Sequence, residues 1–120
     1  MKATCHCNAV ELAIELVDGL NTARRCDCSF CVRRGAVAVS VSLDDLEVVR
    51  GEDKLSHYSF NTHSAHHYFC SVCGIYTHHQ RRSNPHQFGV NAANIEGVSV
   101  RDMGEIPWID GQNHPKDAQT

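Results

Sequence analysis

Residues 10–16 read Val10-Glu11-Leu12-Ala13-Ile14-Glu15-Leu16, and this stretch decides the class of fold. Successive side chains of an extended chain point to opposite faces, so Val10, Leu12, Ile14 and Leu16 share one face and Glu11 and Glu15 take the other. That pattern is a half-buried strand. Asp18-Gly19 ends it with a turn pair. Ala36 to Val41 resumes the alternation, with Val37, Val39 and Val41 on one face and small residues opposite. Further extended segments are predicted at Leu46 to Arg50, Leu55 to Phe60, His66 to Cys70, Ile75 to Gln80 and Phe88 to Val90. Turn residues at Gly51-Glu52-Asp53, Asn61-Thr62, Cys73-Gly74 and Ser83-Asn84-Pro85 separate them. No window of helical length carries apolar residues at three-and-four spacing. The best helical candidate is one turn opened by Ser42 with Asp45 three residues on. The expectation is a mostly β domain spanning residues 1–120, with few or no long helices. No linker or low-complexity tract divides it, and the polar tail from Asn113 to Thr120 is expected to fray.

Composition narrows the function classes. The 120 residues are 42% apolar and 21% charged, which suits a soluble globular protein and leaves no run long enough to cross a bilayer. A formal charge of -3 provides no basic field for a nucleic-acid backbone, and cysteine thiolates on metal would make the chain more acidic still. The opening Met1-Lys2-Ala3-Thr4-Cys5-His6-Cys7 has no apolar stretch of the kind a secretory signal uses, so a reducing, cytoplasmic setting is expected. An odd total of seven cysteines in that setting does not read as a disulfide framework.

The cysteines form three clusters: Cys5-x-Cys7, Cys26-x-Cys28-x-x-Cys31 and Cys70-x-x-Cys73-Gly74. In an extended segment Cys5 and Cys7 would share a face while His6 points away, which lets two thiolates bind one ion. Cys70-x-x-Cys73 before a glycine reads as a tight metal-binding knuckle. Such spacings suit tetrahedral zinc, whereas none reproduces a ferredoxin run. Seven ligands suggest four plus three, because a structural zinc site is closed by four protein ligands and a catalytic one keeps a position open. Cys28, Cys31, Cys70 and Cys73 could form a ribbon-type site. Alternatively, Cys5, Cys7, Cys70 and Cys73 could form the closed site and leave Cys26, Cys28 and Cys31 together. A ribbon brings its two pairs about 15 to 20 residues apart. Here 38 residues intervene between Cys31 and Cys70, which favours the second division.

Taken together, Cys5-His6-Cys7-Asn8-Ala9-Val10, Cys26-Asp27-Cys28-Ser29-Phe30-Cys31 with Arg33 or Arg34 before Gly35, Phe69-Cys70-Ser71-Val72-Cys73-Gly74 and Asp110-Gly111-Gln112-Asn113-His114-Pro115 give the chain a family likeness. It resembles the glutathione-dependent formaldehyde-activating enzymes, or S-(hydroxymethyl)glutathione synthases. The resemblance implies a fold of coiled antiparallel β-sheets with two zinc ions. One would be structural, on Cys5, Cys7, Cys70 and Cys73, and the other catalytic, on Cys26, Cys28 and Cys31. It also implies a carbon-sulfur lyase or synthase acting on glutathione, or a similar thiol, and formaldehyde or another small aldehyde.

The remaining polar residues are less specific. His66-His67 and His78-His79 flank the Cys70 knuckle, and only one of each adjacent pair can face a given site; His66 or His67 is the candidate near the open ion. Six arginines come in three pairs, Arg24-Arg25, Arg33-Arg34 and Arg81-Arg82. The first two pairs bracket the three-cysteine loop and are the candidate anchors for the carboxylates of glutathione, with Arg33 and Arg34 the expected binding residues. Trp108 is expected to pack with Pro107 and Ile109 as an apolar clasp. A rival of another class is a non-catalytic, zinc-stabilised binding or chaperone-like module. An apolar patch without a pocket beside the loop would favour that rival, and a concave, arginine-lined pocket would favour the enzyme.

Overall fold

The computed structural model describes residues 1–60, 63, 65–82 and 84–111. Seven strands form one sheet. They are β1 (Lys2–Thr4), β2 (Glu11–Leu16), β4 (Ala38–Arg50), β5 (Leu55–Tyr58), β6 (His66–Cys70), β7 (Tyr76–Gln80) and β8 (Gln87–Asn91). Their order across the sheet is β1-β2-β4-β8-β7-β6-β5, and every neighbouring pair is antiparallel. A separate pair joins β3 (Arg25–Cys26) in parallel to β9 (Trp108–Ile109). The only α-helical turn among the described residues is α1 (Cys31–Arg34), closed by Gly35 in the left-handed region at φ 67. No described helix is long and apolar enough to cross a membrane.

The alternation of residues 10–16 is realised: Val10, Leu12 and Ile14 are buried, and Leu16 packs against the same core. Val39, Val41, Val90, Ala92 and Ile95 complete that face. Each such aliphatic side chain removed from water contributes about 1.5–3 kcal/mol, so this one face carries most of the drive to fold.

Strand registers then place side chains in transverse rows. One row runs Val39, Val90, His78, Tyr68, His57 across β4, β8, β7, β6 and β5. The adjacent row runs Ser40, Gly89, His79, His67, Tyr58 across the same strands. Adjacent rows face opposite sides of the sheet, so the small residues opposite the valines of β4 floor a second layer. That layer contains the three-cysteine loop and α1.

Several local expectations are corrected. Residues 42–45 form no helical turn; Ala38 to Val41 and Leu46 to Arg50 are parts of the single strand β4, and Ala36 and Val37 precede it. The irregularity lies in its pairing. Ile14 and Leu16, two residues apart on β2, face Leu46 and Val41, five apart on β4. Residues 42–45 therefore bulge from β2 while Ser42 still pairs with Gln87 of β8. Cys5 to Cys7 is a turn and not an extended segment, since Asn8 N–H returns to the Cys5 carbonyl at 3.3 Å and Asn8 adopts φ 68. Trp108 is 57% exposed, with the Arg25 guanidinium 6.0 Å from its ring, and forms no apolar clasp. The turn at Asn61-Thr62, Ser83 of the next turn and the tail from Asn113 lie outside the described residues.

Candidate functional site

Two cysteine clusters form, divided as the loop spacing favoured. The sulfurs of Cys5, Cys7, Cys70 and Cys73 all lie within 4.8 Å of one another, and so do those of Cys26, Cys28 and Cys31. The seven are free cysteines. A tetrahedral ion with sulfur at about 2.3 Å sets sulfur-sulfur edges of roughly 3.8 Å. Cys5 to Cys7 and Cys7 to Cys70 are each 3.7 Å, so two of the six edges of the four-sulfur cluster already match such a site. Both clusters are compatible with zinc.

Two turns build the four-sulfur cluster. Gly74 N–H donates to the Cys70 carbonyl at 2.8 Å, with Gly74 at φ 79, a conformation glycine adopts without strain. On the other side Val10 N–H donates to Cys5 Sγ at 3.3 Å, and the Cys5 N–H donates to the Val10 carbonyl at 3.2 Å. Cys5 and Cys70 are buried in the aliphatic core, so whatever holds these four sulfurs together also holds β1 and β2 to the β6–β7 turn.

The three-sulfur loop is assembled differently. Cys26 ends β3, Cys28 is buried, and Cys31 opens α1 with its N–H on Cys28 Sγ at 3.2 Å. The segment after Pro107 straps it: Arg25 N–H donates to the Pro107 carbonyl, Asp27 N–H donates to the Ile109 carbonyl, and Gly111 N–H donates to Asp27 Oδ1 at 2.7 Å. Within the loop, hydrogen bonds from Cys26 and then Cys31 hold the Cys28 thiol well below the ordinary thiol range. Hydrogen bonds with Cys26 and then with Cys28 push the Cys31 thiol up.

This loop opens on a small cleft of about 90 Å³. Arg24, Arg34, Arg81 and Arg82 line it together with His67 and His79, above the small residues Ala36 and Ala38. Arg24 Nη1 and Arg81 Nη1 both donate to Ser40 Oγ, at 2.9 and 3.4 Å, so the floor row of the sheet fixes two guanidinium groups. Burial, and then the charge of Arg81, push Arg24 down to about 10, which leaves it cationic at neutral pH. Burial, reinforced by Arg34, pushes His67 down to about 3 and takes His79 well below its ordinary value. Both imidazoles are therefore neutral at neutral pH. Tyr76 Oη lies 2.6 Å from His79 Nδ1, and burial raises its phenol to about 12.

The predicted anchors separate. Arg34 faces the cysteines, with Nη2 donating to Cys31 Sγ at 3.5 Å and Nη1 3.1 Å from His67 Nδ1. Arg33 is exposed, bonds back to the Ser29 carbonyl, and lines a shallower groove on the other side of Arg34. His66 lies on the opposite face of β6 from the cleft, with Nδ1 2.8 Å from His57 Nε2, and its neighbour His67 takes the cleft side. Arg24 belongs to a pair that the sequence placed beside the loop, whereas His79, Arg81 and Arg82 were noted only as members of pairs and given no role in the site. The one available signal was strand parity, which needs a register that a single strand does not contain. His114 lies outside the described residues.

Residues 1–106 match the family model of the glutathione-dependent formaldehyde-activating enzyme. The chain is also similar to the crystal structure of a Rhodobacter sphaeroides protein of unknown function. The two are 61% identical with a TM-score of 0.90, over 91% of this chain and 100% of that one. A family match over nearly the whole chain, carried by sulfur clusters that assemble in space, establishes that the chain belongs to the glutathione-dependent formaldehyde-activating enzyme family.

Proposed function

We propose that the protein joins a thiol, with glutathione as the reference substrate, to formaldehyde or another small aldehyde, and also cleaves the adduct. In this carbon-sulfur lyase or synthase reaction the sulfur-carbon bond forms, the carbonyl π bond breaks, and the thiol proton ends on the new hydroxyl. The observation that carries the reading is the contrast between the clusters: four sulfurs gathered on one point, two of them from the core, and three opening on an arginine-lined cleft. That concave cleft supports the enzyme over a non-catalytic binding module.

Cys5, Cys7, Cys70 and Cys73 would hold a structural zinc, and Cys26, Cys28 and Cys31 a catalytic one. A zinc held by these three thiolates would supply Lewis acidity that favours ionisation of a substrate thiol near neutral pH. Arg24, Arg81 and Arg82 of the cleft bind the carboxylates of the thiol substrate and orient it, since guanidinium groups match carboxylates in fixed geometry. A guanidinium only donates, so His67 Nδ1 accepts from Arg34 and the proton of His67 sits on Nε2. That hydrogen is the one His67 has to offer a carbonyl or alkoxide oxygen in the cleft.

The test is exchange spectroscopy by NMR between free formaldehyde and its glutathione adduct. Zinc-replete protein is expected to accelerate exchange in proportion to its concentration. Exchange at the uncatalysed rate at every protein concentration would overturn the reading.

A further inference from the structure

Arg34 is held in a way that substrate anchoring does not require. Its guanidinium lies 3.7 Å from the ring centroid of Tyr76 and 4.8 Å from that of Phe30, so two aromatic rings fix it. Its Nε is buried without a hydrogen-bond partner among the described residues. The position is therefore set by stacking and by the two terminal nitrogens, which reach His67 Nδ1 and Cys31 Sγ. Cys31 and Arg34 are the first and last residues of α1, three apart on one turn, so the contact is built into the helix that presents the sulfur.

Charge supplies the reason for such an arrangement. Three thiolates on a divalent cation carry a net charge of about -1, and a fourth thiolate would take it to about -2 in a partly desolvated cleft. A guanidinium hydrogen-bonded to one of those sulfurs returns one unit. It also withdraws density from that sulfur, as outer partners of metal ligands do. We propose that Arg34 is a positioning residue that acts through Cys31: it sets the charge and donor strength of the three-cysteine loop so that the loop accepts an anionic thiol. The proposal rests on Cys26, Cys28 and Cys31 being the zinc loop. It assigns Arg34 to the sulfur end of the cleft and not to a substrate carboxylate. Lysine would keep the charge but lacks the planar fork that stacks on two rings while bonding two partners.

The experiment uses protein carrying zinc in the four-cysteine cluster and cobalt in the loop. Without added thiol, Arg34→Met should move the sulfur-to-cobalt charge-transfer band to longer wavelength, because the filled sulfur orbital loses a hydrogen bond. Arg34→Lys should move it less, and it carries the test if the Met variant does not fold. On titration, Arg34→Met should need on the order of tenfold to a hundredfold more thiol, the range of one charge-assisted hydrogen bond. The loss should be the same for glutathione and for 2-mercaptoethanol, which has no carboxylate. A band unmoved in both variants would overturn the proposal, as would weaker binding of glutathione alone. If wild-type protein took no thiol while the band still shifted in Arg34→Met, the proposed reaction would fail and the action of Arg34 on Cys31 would stand.

Discussion

Cys28 and Cys70 are both buried cysteines, and their surroundings give them different work. Cys70 sits in the aliphatic core with Cys5, among Val10, Leu12 and Val39. A structural zinc in such a cluster contributes about 10–16 kcal/mol in isolated zinc-finger peptides, as much as the whole stability of an ordinary domain. Cys70→Ser is therefore expected to abolish cooperative folding, seen as loss of a thermal transition. Cys28 lies in a loop held by its own hydrogen bonds and by the 107–111 strap. Cys28→Ser should keep the transition, lose one zinc per chain by elemental analysis, and abolish accelerated exchange of formaldehyde. Equal unfolding of the two variants would refute the division into structural and catalytic sites.

At the scale of elements, close approaches at two glycines hold the cleft together. A Cβ on Gly111 would stand 2.4 Å from Cys26 Sγ and 2.8 Å from Cys28 Cβ, so the strap lies directly on the loop. Gly111→Ala should weaken the loop metal by about tenfold to a hundredfold, the usual effect of disturbing partners of metal ligands, and leave the four-cysteine ion in place. Competition with a chromophoric chelator measures both; equal weakening of the two ions would count against the strap. A Cβ on Gly89 would stand 2.4 Å from His79 Cε1, because His79 lies across β8. Gly89→Ala should then cost about 1–3 kcal/mol of overpacking in urea unfolding. Adding His79→Ala should recover part of that loss, since neighbours in contact do not add. Additive losses would show that His79 is not what the new methyl meets.

For the whole molecule, buried neutral imidazoles make stability depend on pH. His78 packs in the core layer, with Nδ1 2.9 Å from Thr77 Oγ1 and Tyr68 stacked on it at 4.7 Å, and burial pushes it down to about 4. Unfolded, it titrates near 6.5. Between these values the unfolded chain binds a proton that the folded chain does not, so stability is full above about pH 6.5 and falls as the pH drops towards 4. The slope from this one group approaches about 1.4 kcal/mol per pH unit. In saturating zinc, urea midpoints from pH 7 to 5 should fall less steeply for His78→Gln than for the wild type. Parallel slopes would remove His78 from the acid response. Chelation is expected to act in two stages, with the loop ion leaving first and the fold intact, and the four-cysteine ion leaving later with unfolding.

The sequence by itself determined the β class, the identity of the core face, the three cysteine clusters and their division into four and three. These are local or additive properties: alternation has a period of two, and ligand spacing is a property of a few bonds. Only the tertiary structure decided which histidine of each pair faces the cleft, because His66 and His67 differ by strand parity and parity acquires meaning when β6 pairs with β7 and β8. The same holds for the arginines. Arg24, Arg34, Arg81 and Arg82 come from separate segments, and the row of small residues through Ser40 and Gly89 brings them over one loop. Arg33 and Arg34 look alike in sequence, yet one turn of helix sends one to solvent and the other between two aromatic rings onto Cys31. A helix has a direction for each residue, but which direction is the site depends on what packs against it.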